Sequence, residues 1–216
     1  MRADKVVVYV EGPSDKSAMD ILMAGIMKQA ENKGTKIELS FLKGKGPLMN
    51  KGPKRAANDL IKKPNYHVVI MPDLYPANEG GEHETVEEMK ELLKGKFNGI
   101  LKERRVKDPE SISSRFHVHC FKHDLEALLL ASEEELLDYL GTKETKIKWN
   151  EDVEEQDFTD YPKKIVKQLF EESGRNYRPT VDVPEILSKV NDLEKLMKRC
   201  PQCFAPFVKF LESFAE

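Results

Sequence analysis

Carboxylates stand just after three of the apolar segments in this chain. They are Glu11 and Asp15 after the first segment, Asp73 after the second, and Asp124 and Glu126 after the third. Oxygen-rich clusters suit Mg²⁺ or Mn²⁺, which prefer hard ligands and leave coordination places for water and phosphate. Two such ions could activate a water and stabilise the leaving oxygen of a phosphodiester. The pattern predicts a divalent-metal site if the fold brings the segment ends together.

These three segments and a fourth, over residues 37–42, read as strands of one sheet, because they are short, apolar or alternating, and rich in β-branched and aromatic residues. The predicted strands are residues 5–10, 37–42, 66–71 and 115–121. The predicted helices between them are residues 16–32, 54–62 and 85–105. Apolar strands alternating with amphipathic helices predict an α/β fold with a mostly parallel central sheet. Such sheets bind ligands at the carboxyl ends of their strands, where these carboxylates stand.

The rest of the chain is predicted to be helical. A helix over 133–140 is followed by an acidic linker over 151–160, and the later helices are predicted at 162–172, 183–190, 192–199 and 204–214. We therefore expect two parts. Residues 1–140 form an α/β core, and residues 141–216 form a helical C-terminal extension that packs on it.

The sequence resembles TOPRIM domains, the metal-binding fold of topoisomerases, bacterial primases and the overcoming-lysogenization-defect nucleases. The likeness begins in the stretch Val-Val-Val-Tyr-Val-Glu11-Gly-Pro-Ser-Asp15. The chain is similar in particular to a TOPRIM-related family of bacteria and archaea. The matching stretches are His123-Asp-Leu-Glu126-Ala-Leu-Leu129, Pro162-Lys163-Lys164, Tyr177-Arg178 and Arg199-Cys200-Pro201. Together they span nearly the whole chain.

The resemblance implies a TOPRIM-like fold and an Mg²⁺- or Mn²⁺-dependent nuclease, acting in antiviral or anti-plasmid defence beside an ATPase partner of the AAA or ABC type. It implies the following site. The metal ligands are Glu11, Asp15, Asp73 and Glu126, and the catalytic residues are Glu11, Asp73 and Glu126, with Lys163 or Lys164 offsetting developing charge.

The chain departs from the TOPRIM pattern at one place. Where TOPRIM proteins read Asp-x-Asp, it reads Asp73-Leu74-Tyr75, so either Asp124 or Glu126 must complete the ligand set. This favours an alternative, a catalytically degenerate TOPRIM fold used as a binding or regulatory subunit. A third hypothesis is a receiver-type domain phosphorylated on Asp73.

Structural explanations compete with each of these roles. Glu11 would also favour the N-terminus of a following helix, and Asp73 between Pro72 and Pro76 fits a plain turn. Glu126 lies in an apolar stretch, where a buried carboxylate needs a partner. Metal, His123 or a cation from the C-terminal helices could each be that partner.

A basic segment interrupts the acidic chain between residues 43 and 63, with seven cations against the single acid Asp59. It is predicted to be a Gly- and Pro-rich loop leading into the helix over 54–62. Glycines let the main chain approach a ligand, and cations contact phosphates. The candidate nucleic-acid contacts are Lys43, Lys45, Lys51, Lys54 and Arg55. The alternative is a solvated loop without a ligand.

Histidines and cysteines form a second cluster. His117, His119, Cys120 and His123 lie within seven residues, and Cys200 and Cys203 come later. A zinc site is disfavoured, because Cys120 points to the opposite face of a strand from His117 and His119. His119 or His123 could instead be a general base near neutral pH.

Composition and absent motifs exclude other classes. The net charge of −3 argues against a general attraction to nucleic acid or anionic membrane, so a nucleic-acid partner must meet a local patch. No apolar run reaches the roughly 20 residues that cross a bilayer, and residues 1–5 lack a secretion signal, so we expect a cytoplasmic protein without membrane contact. Signature loops of P-loop NTPases, dinucleotide enzymes and serine hydrolases are absent. The oligomeric state is left open, with a homo-oligomer among the alternatives.

Overall fold

A computed structural model describes residues 3–157 and 159–216 of the chain. Met1, Arg2 and Phe158, which belong to the N-terminal segment and the acidic linker, lie outside the described residues. The centre is a four-stranded sheet in the order β2-β1-β3-β4, and all of its pairings are parallel. The strands are β1 Lys5–Val10, β2 Lys36–Phe41, β3 Tyr66–Ile70 and β4 Phe116–Val118. The predicted parallel α/β sheet is confirmed.

Helices cover both faces of the sheet. The first five are α1 Pro13–Leu22, α2 Ala24–Asn32, α3 Lys45–Lys62, α4 Val86–Glu103 and α5 Pro109–Ser113. The others are α6 Glu126–Ala131, α7 Glu133–Leu140, α8 Pro162–Glu172, α9 Pro179–Leu187, α10 Leu193–Arg199 and α11 Phe204–Glu212, with a 3-10 turn at Val153–Glu155. Helices α1, α2 and α6 to α11 share one apolar core with one face of the sheet, and α3 and α4 fill a second core on the other face.

The strand order places a crevice at the carboxyl ends of β1 and β3. Strand β1 has β2 on one side and β3 on the other. The chain therefore crosses from β1 to one neighbour, β2, and then passes β1 again to form the next strand, β3, on its opposite side. Ligands of open α/β sheets bind at such a switch point. The residues that follow β1 and β3 are therefore the ones to inspect for chemistry.

The basic segment was wrongly predicted to begin as a loop, because α3 is one helix of 18 residues starting at Lys45. Pro47 is tolerated in its first turn, where the missing N–H has no helical partner. Pro53 lies inside the helix and leaves the Met49 carbonyl without its helical donor, but the Lys96 ammonium of α4 lies 3.3 Å from that oxygen. A Cβ on Gly52 would lie 2.8 Å from Ile70 Cδ1, so this glycine allows α3 to pack closely on β3.

Other predicted boundaries need smaller corrections. The single helix predicted over 16–32 is two helices that meet at Met23. Strand β4 is shorter than predicted, although an isolated bridge between Asp73 and Phe121 continues its direction. The helix predicted over 183–190 begins earlier, at Pro179, and α5 was not predicted. Helices α7 and α8 have their predicted bounds.

Phe170 of α8, Val183 of α9 and Phe207 of α11 are buried in the same apolar cluster as Val8 of β1. The division of the chain into a core, residues 1–140, and an extension, residues 141–216, stays a prediction. Within the described part of the chain, no helix combines the length and apolar character needed to cross a membrane.

A buried carboxylate ties the acidic linker to α11. Glu154 is 2% exposed, and its oxygens accept hydrogen bonds from the backbone N–H groups of Gln202, Cys203 and Phe204 at 2.6 to 3.1 Å. Those N–H groups lie at the start of a helix and have no helical partner. Glu154→Ala should therefore lower the free energy of unfolding by about 2 to 4 kcal/mol, measured by urea denaturation.

The matched control is Glu151→Ala, three residues earlier, because Glu151 is exposed. Its substitution should change the free energy of unfolding by less than about 0.5 kcal/mol. Equal stability of the two variants would contradict the capping role of Glu154.

Candidate functional site

Glu11 and Asp73 meet where β1 and β3 end. The Asp73 backbone N–H donates to Glu11 Oε1 at 2.9 Å, although the two residues are 62 positions apart in sequence. The parallel register of β1 and β3 causes this, because Tyr9 pairs with Ile70 and both strands end on the same edge. The structure thus brings together the first two carboxylates that the sequence pattern singled out.

Asp15 joins them from the first turn of α1. Its Oδ2 accepts a hydrogen bond from the Gly12 backbone N–H at 2.7 Å, which fixes the carboxylate at the helix N-terminus. This is a capping role, as expected for an acid at this place. The side chain also lines the crevice with Glu11, so it is not an ordinary surface residue of the helix.

Asp124 and Glu126 line the same crevice and lie where the chain passes from β4 into α6. Glu126 is only 3% exposed, and its Oε1 accepts a hydrogen bond from the Tyr177 hydroxyl at 2.9 Å. The Lys163 ammonium lies 3.4 Å from the same oxygen. Of the partners left open for Glu126, the structure thus supplies a cation from the C-terminal helices. Asp124 Oδ1 is buried, and no described residue is a hydrogen-bond partner for it.

All of these side chains line one cleft of about 240 Å³, which we call the acidic cleft. Its polar lining residues are Glu11, Ser14, Asp15, Asp73, Asp124, Glu126 and Lys163. Five carboxylates and one ammonium therefore face a small volume. The single lysine cannot neutralise the five acids.

This crowding raises the pKa values of the carboxyls in the acidic cleft. Burial, with the charge of Asp15 adding to it, raises the pKa of Glu11 to about 7. Burial and the nearby Glu126 raise the pKa of Asp124 to about 8. Burial and the charges of Glu11 and Asp15 raise the pKa of Asp73 well above its ordinary value. Each ionised carboxylate thus costs free energy that a bound cation would recover.

Two lysines border these acids. Burial lowers the pKa of Lys163, but the charges of Glu126 and Asp124 outweigh it and raise the pKa overall. Lys45 is 4% exposed and donates to the Leu74 carbonyl at 2.7 Å. Lys45 is therefore a buried anchor for the chain after Asp73 and does not present its ammonium at the surface.

The donor set fits a hard divalent cation in its chemistry. All of the acidic ligands offer oxygen, and the unpartnered Asp124 Oδ1 is a buried acceptor that lacks a donor. Among residues 3–157 and 159–216, however, no three His, Cys, Asp or Glu side chains are arranged to hold a metal ion as they stand. The carboxylates line one cleft without converging on a point, as repulsion among like charges favours.

Comparison with known proteins establishes the family. The family model described as "Domain of unknown function (DUF4276)" matches residues 10–212 of the 216. The chain belongs to this family. No curated protein sequence matches it.

The fold is similar to solved C-terminal regions of OLD proteins, whose name abbreviates overcoming lysogenization defect. The region from Burkholderia pseudomallei is 12% identical, with a TM-score of 0.51 and complete coverage of both chains. The region from Xanthomonas campestris pv. campestris is 14% identical, with a TM-score of 0.49, and the match covers 97% of this chain and 95% of that one. The predicted TOPRIM-like fold and the resemblance to the OLD proteins are confirmed.

The departure of this family member from the Asp-x-Asp pattern is visible in the structure. Tyr75 stands at the place of the second aspartate, and its ring centroid lies 5.4 Å from that of His123. Neither side chain lines the acidic cleft. Asp124 and Glu126, which do line it, are the carboxylates available to replace the missing one.

Lysines 163 and 164 differ in position although they are adjacent. Successive residues on a helix point about 100° apart, so Lys163 faces Glu126 while Lys164 pairs with Asp160 on the exposed surface at 2.9 Å. The structure therefore brings Lys163, and not Lys164, to the acidic cleft. The sequence alone could not choose between them.

The histidine and cysteine cluster is divided among separate environments. His117 Nε2 lies 2.9 Å from His67 Nδ1, and His119 packs on Phe207 and Phe210 of α11. Burial lowers the pKa of His119 to about 4, and the residue does not line the acidic cleft. The structure places it beneath α11, so its assignment as a general base has no geometric support.

The cysteines lie elsewhere. Cys120 and Cys203 place their sulfurs 3.5 Å apart on the other face of the sheet, and Cys200 is buried separately. The separation of Cys120 from the histidines agrees with the predicted alternation of side chains along the strand.

The role of Tyr177 was not predicted from the sequence. Tyr177 was noticed only as part of a family motif, and its contact with Glu126 spans 51 positions that no local pattern links. Gly44, one of the glycines predicted to let the main chain approach a ligand, has φ of 112°, lines the acidic cleft and donates its backbone N–H to the Glu11 carbonyl at 2.8 Å. The Gly-rich composition before α3 was the available signal for this close approach.

Proposed function

We propose that the chain is a divalent-metal-dependent nuclease that hydrolyses phosphodiesters of nucleic acid. The observation that carries the proposal is the acidic cleft, where five carboxylates that follow β1, β3 and β4, two of them in the first turns of α1 and α6, meet with Lys163. Carboxylates crowded in this way need a cation to be ionised together near neutral pH. TOPRIM-like folds are built around such a cation.

The residues that would hold Mg²⁺ or Mn²⁺ are Glu11, Asp15, Asp73 and Glu126, with Asp124 as the replacement for the missing aspartate. When bound, the metal supplies activation of a water and stabilisation of the leaving oxygen. The backbone N–H groups of Asp73 and Gly12 orient Glu11 and Asp15. Lys163 keeps its positive charge beside them and can offset the charge that develops on the phosphoryl group.

Nucleic acid is the proposed substrate because basic residues precede and follow the start of α3, the helix that begins at the edge of the acidic cleft. Lys43 is exposed directly before Gly44, and Lys51, Lys54 and Arg55 are exposed on α3. These residues remain candidates for phosphate contacts. Lys45, by contrast, can act only by fixing the chain near Asp73, since its ammonium is engaged with a carbonyl.

We further propose that an ATPase of the AAA or ABC type acts with the chain in antiviral or anti-plasmid defence. The chain has no P-loop sequence of its own, and the similar solved regions are C-terminal parts of OLD proteins. The cytoplasmic location and a homo-oligomeric state stay predictions.

The second candidate function is a catalytically degenerate binding or regulatory subunit. Tyr75 in place of an aspartate favours it, as does the lack of a ready ligand set among the described residues. The two functions separate in one assay. Purified protein is incubated with labelled duplex DNA, single-stranded DNA and RNA, in the presence of Mn²⁺, Mg²⁺ or a chelator.

A nuclease should cut at least one substrate with Mn²⁺ or Mg²⁺ and none with chelator. Binding without cutting under every condition would reject the nuclease and favour the binding subunit. Cutting that persists in chelator would reject the metal-dependent reaction.

Tyr177 is expected to position Glu126 within this site. Burial and the charge of Glu126 raise the pKa of Tyr177, so its hydroxyl stays a donor to Glu126 Oε1. Tyr177→Phe should weaken Mn²⁺ binding about tenfold, the low end for losing a group that orients a metal ligand. Calorimetric titration measures this without any need for turnover.

Tyr139→Phe is the matched control, because the Tyr139 hydroxyl bonds to Asp182 and Glu185, neither of which lines the acidic cleft or is a proposed metal ligand. It should bind Mn²⁺ as the wild type does. Unchanged Mn²⁺ affinity in Tyr177→Phe would show that Lys163 alone suffices to orient Glu126.

A further inference from the structure

The exposed side of α3, a helix that begins at the edge of the acidic cleft, carries a row of cations. Lys51, Lys54, Arg55 and Lys62 are all exposed. Lys54, Arg55 and Lys62 lie three, four and eleven residues after Lys51, and these spacings place all four side chains on one side of the helix. Gly44, the residue before α3, lines the acidic cleft, so the helix leads away from the site. From Lys45 to Lys62 it extends about 26 Å.

The lysines of this row are not neutralised by acids. Among the described residues, Lys51, Lys54 and Lys62 have no ion pair or side-chain hydrogen bond, and the only acid of α3, Asp59, is engaged by Lys63 and the Tyr9 hydroxyl. Elsewhere on the surface many cations are paired. Examples are Lys189 with Asp138, Lys195 with Glu134 and Arg199 with Glu133.

Arg55 is held in place within the row. Its Nε donates to the Tyr9 hydroxyl at 3.0 Å, and its guanidinium carbon lies 4.9 Å from the centroid of the Tyr9 ring. Tyr9 is a buried residue of β1, two positions before Glu11. An arginine fixed in this way binds an anion with less loss of side-chain freedom than a free lysine does.

We propose that this row, Lys51, Lys54, Arg55 and Lys62, binds the sugar–phosphate backbone of a polynucleotide on its way to or from the acidic cleft. The proposal rests on the proposed nuclease function and specifies its substrate as a polymer. The row begins about 9 Å and ends about 26 Å along the helix from Lys45, which at about 3.4 Å per nucleotide corresponds to about three to eight nucleotides from the cleft. A mononucleotide or a very short oligonucleotide in the cleft would not reach the row.

Backbone contacts of this kind depend on salt and ignore sequence. Each phosphate neutralised by a cation adds about 0.9 to the slope of log affinity against log salt concentration. The four residues of the row should thus contribute a slope of about 3 to 4. Charge, and not base identity, should decide binding at this surface.

The test is the variant Lys51→Gln/Lys54→Gln/Lys62→Gln in the full chain. Binding of a labelled duplex of about 30 base pairs is followed by fluorescence anisotropy in chelator, so that cleavage plays no part in the readout. Affinity should fall about 10- to 100-fold, and the salt slope should fall by about 3. A mononucleotide offers too few phosphates to contact the row, so it should bind weakly and should be little affected by the change.

The matched control is Lys143→Gln/Lys146→Gln/Lys148→Gln, which removes three exposed lysines of the extension. It changes net charge equally and should retain the affinity of the wild type. Equal losses in the two triple variants would overturn the proposal, as would an unchanged salt slope or a preference for anionic lipid vesicles over duplex. Binding that follows the expected pattern without any cleavage would support polynucleotide binding by the row and would reject the proposed nuclease activity.

Discussion

Glu11→Gln should lower the rate of Mn²⁺-dependent phosphodiester hydrolysis by about 10²- to 10³-fold, because the site loses a ligand of the metal ion that would stabilise transition-state charge. Glutamine has nearly the same size and keeps an oxygen that can accept the Asp73 N–H bond, so the fold should survive. The substitution removes only the negative charge at the end of β1. The rate is measured on the polynucleotide that the wild-type protein cuts.

Glu31→Gln is the control for this prediction, because Glu31 is an exposed acid of α2. It should leave the rate unchanged. A second readout separates loss of function from misfolding. In chelator above neutral pH, Glu11→Gln should be at least as stable as the wild type, since one repelling carboxylate has gone from the acidic cleft. Full activity in a stable Glu11→Gln protein would show that Glu11 takes no part in the reaction.

Without metal, the protein should lose about 2 kcal/mol of stability between about pH 7 and about pH 8.5. The folded-state pKa of Glu11 is about 7 and that of Asp124 about 8, both above the ordinary values of 4.5 and 3.8. The native state therefore holds protons that the unfolded state has already released. Stability falls as rising pH removes those protons, and Asp73, raised in the same direction, adds to the loss.

Buried histidines make the free energy of unfolding fall as pH decreases, which is the opposite pH dependence, and they do so at lower pH. Burial lowers the pKa of His117 to about 3 and that of His119 to about 4, so these residues cost stability as pH falls below about 6.5. The pH window above 7 therefore isolates the carboxyls. Urea denaturation in chelator measures the fall, and saturating Mg²⁺ should abolish most of it. Stability that stays constant or rises across this window would contradict the crowding of acids in the cleft.

Periodicity and chain order were enough to predict the parallel sheet and the strand ends that carry Glu11 and Asp73. Those features are local, because a β-branched run bounded by Gly, Pro or Asp is the sequence signal of a strand and its end. The meeting of the two residues followed from the general geometry of parallel sheets. The family resemblance supplied the TOPRIM-like fold, which the comparisons confirm.

Features that depend on distant contacts were not predictable. Helix α3 looked like a loop because Pro53 and Gly52 disfavour helices, and only Lys96 of α4 and Ile70 of β3 explain why they are accommodated. The choice of Lys163 over Lys164 depends on how α8 is rotated against α6. The burial of Lys45 likewise depends on carbonyls that lie 29 or more residues away in sequence. No window of sequence contains these partners.

A crystal of the protein soaked in Mn²⁺, with anomalous diffraction recorded at the manganese edge, tests the central claim most directly. The account predicts an anomalous peak in the acidic cleft, about 2.0 to 2.3 Å from oxygens of Glu11, Asp73 and at least one of Asp124 and Glu126. The Tyr177 contact to Glu126 should persist. A peak held by other residues, or none at saturating Mn²⁺, would contradict the account.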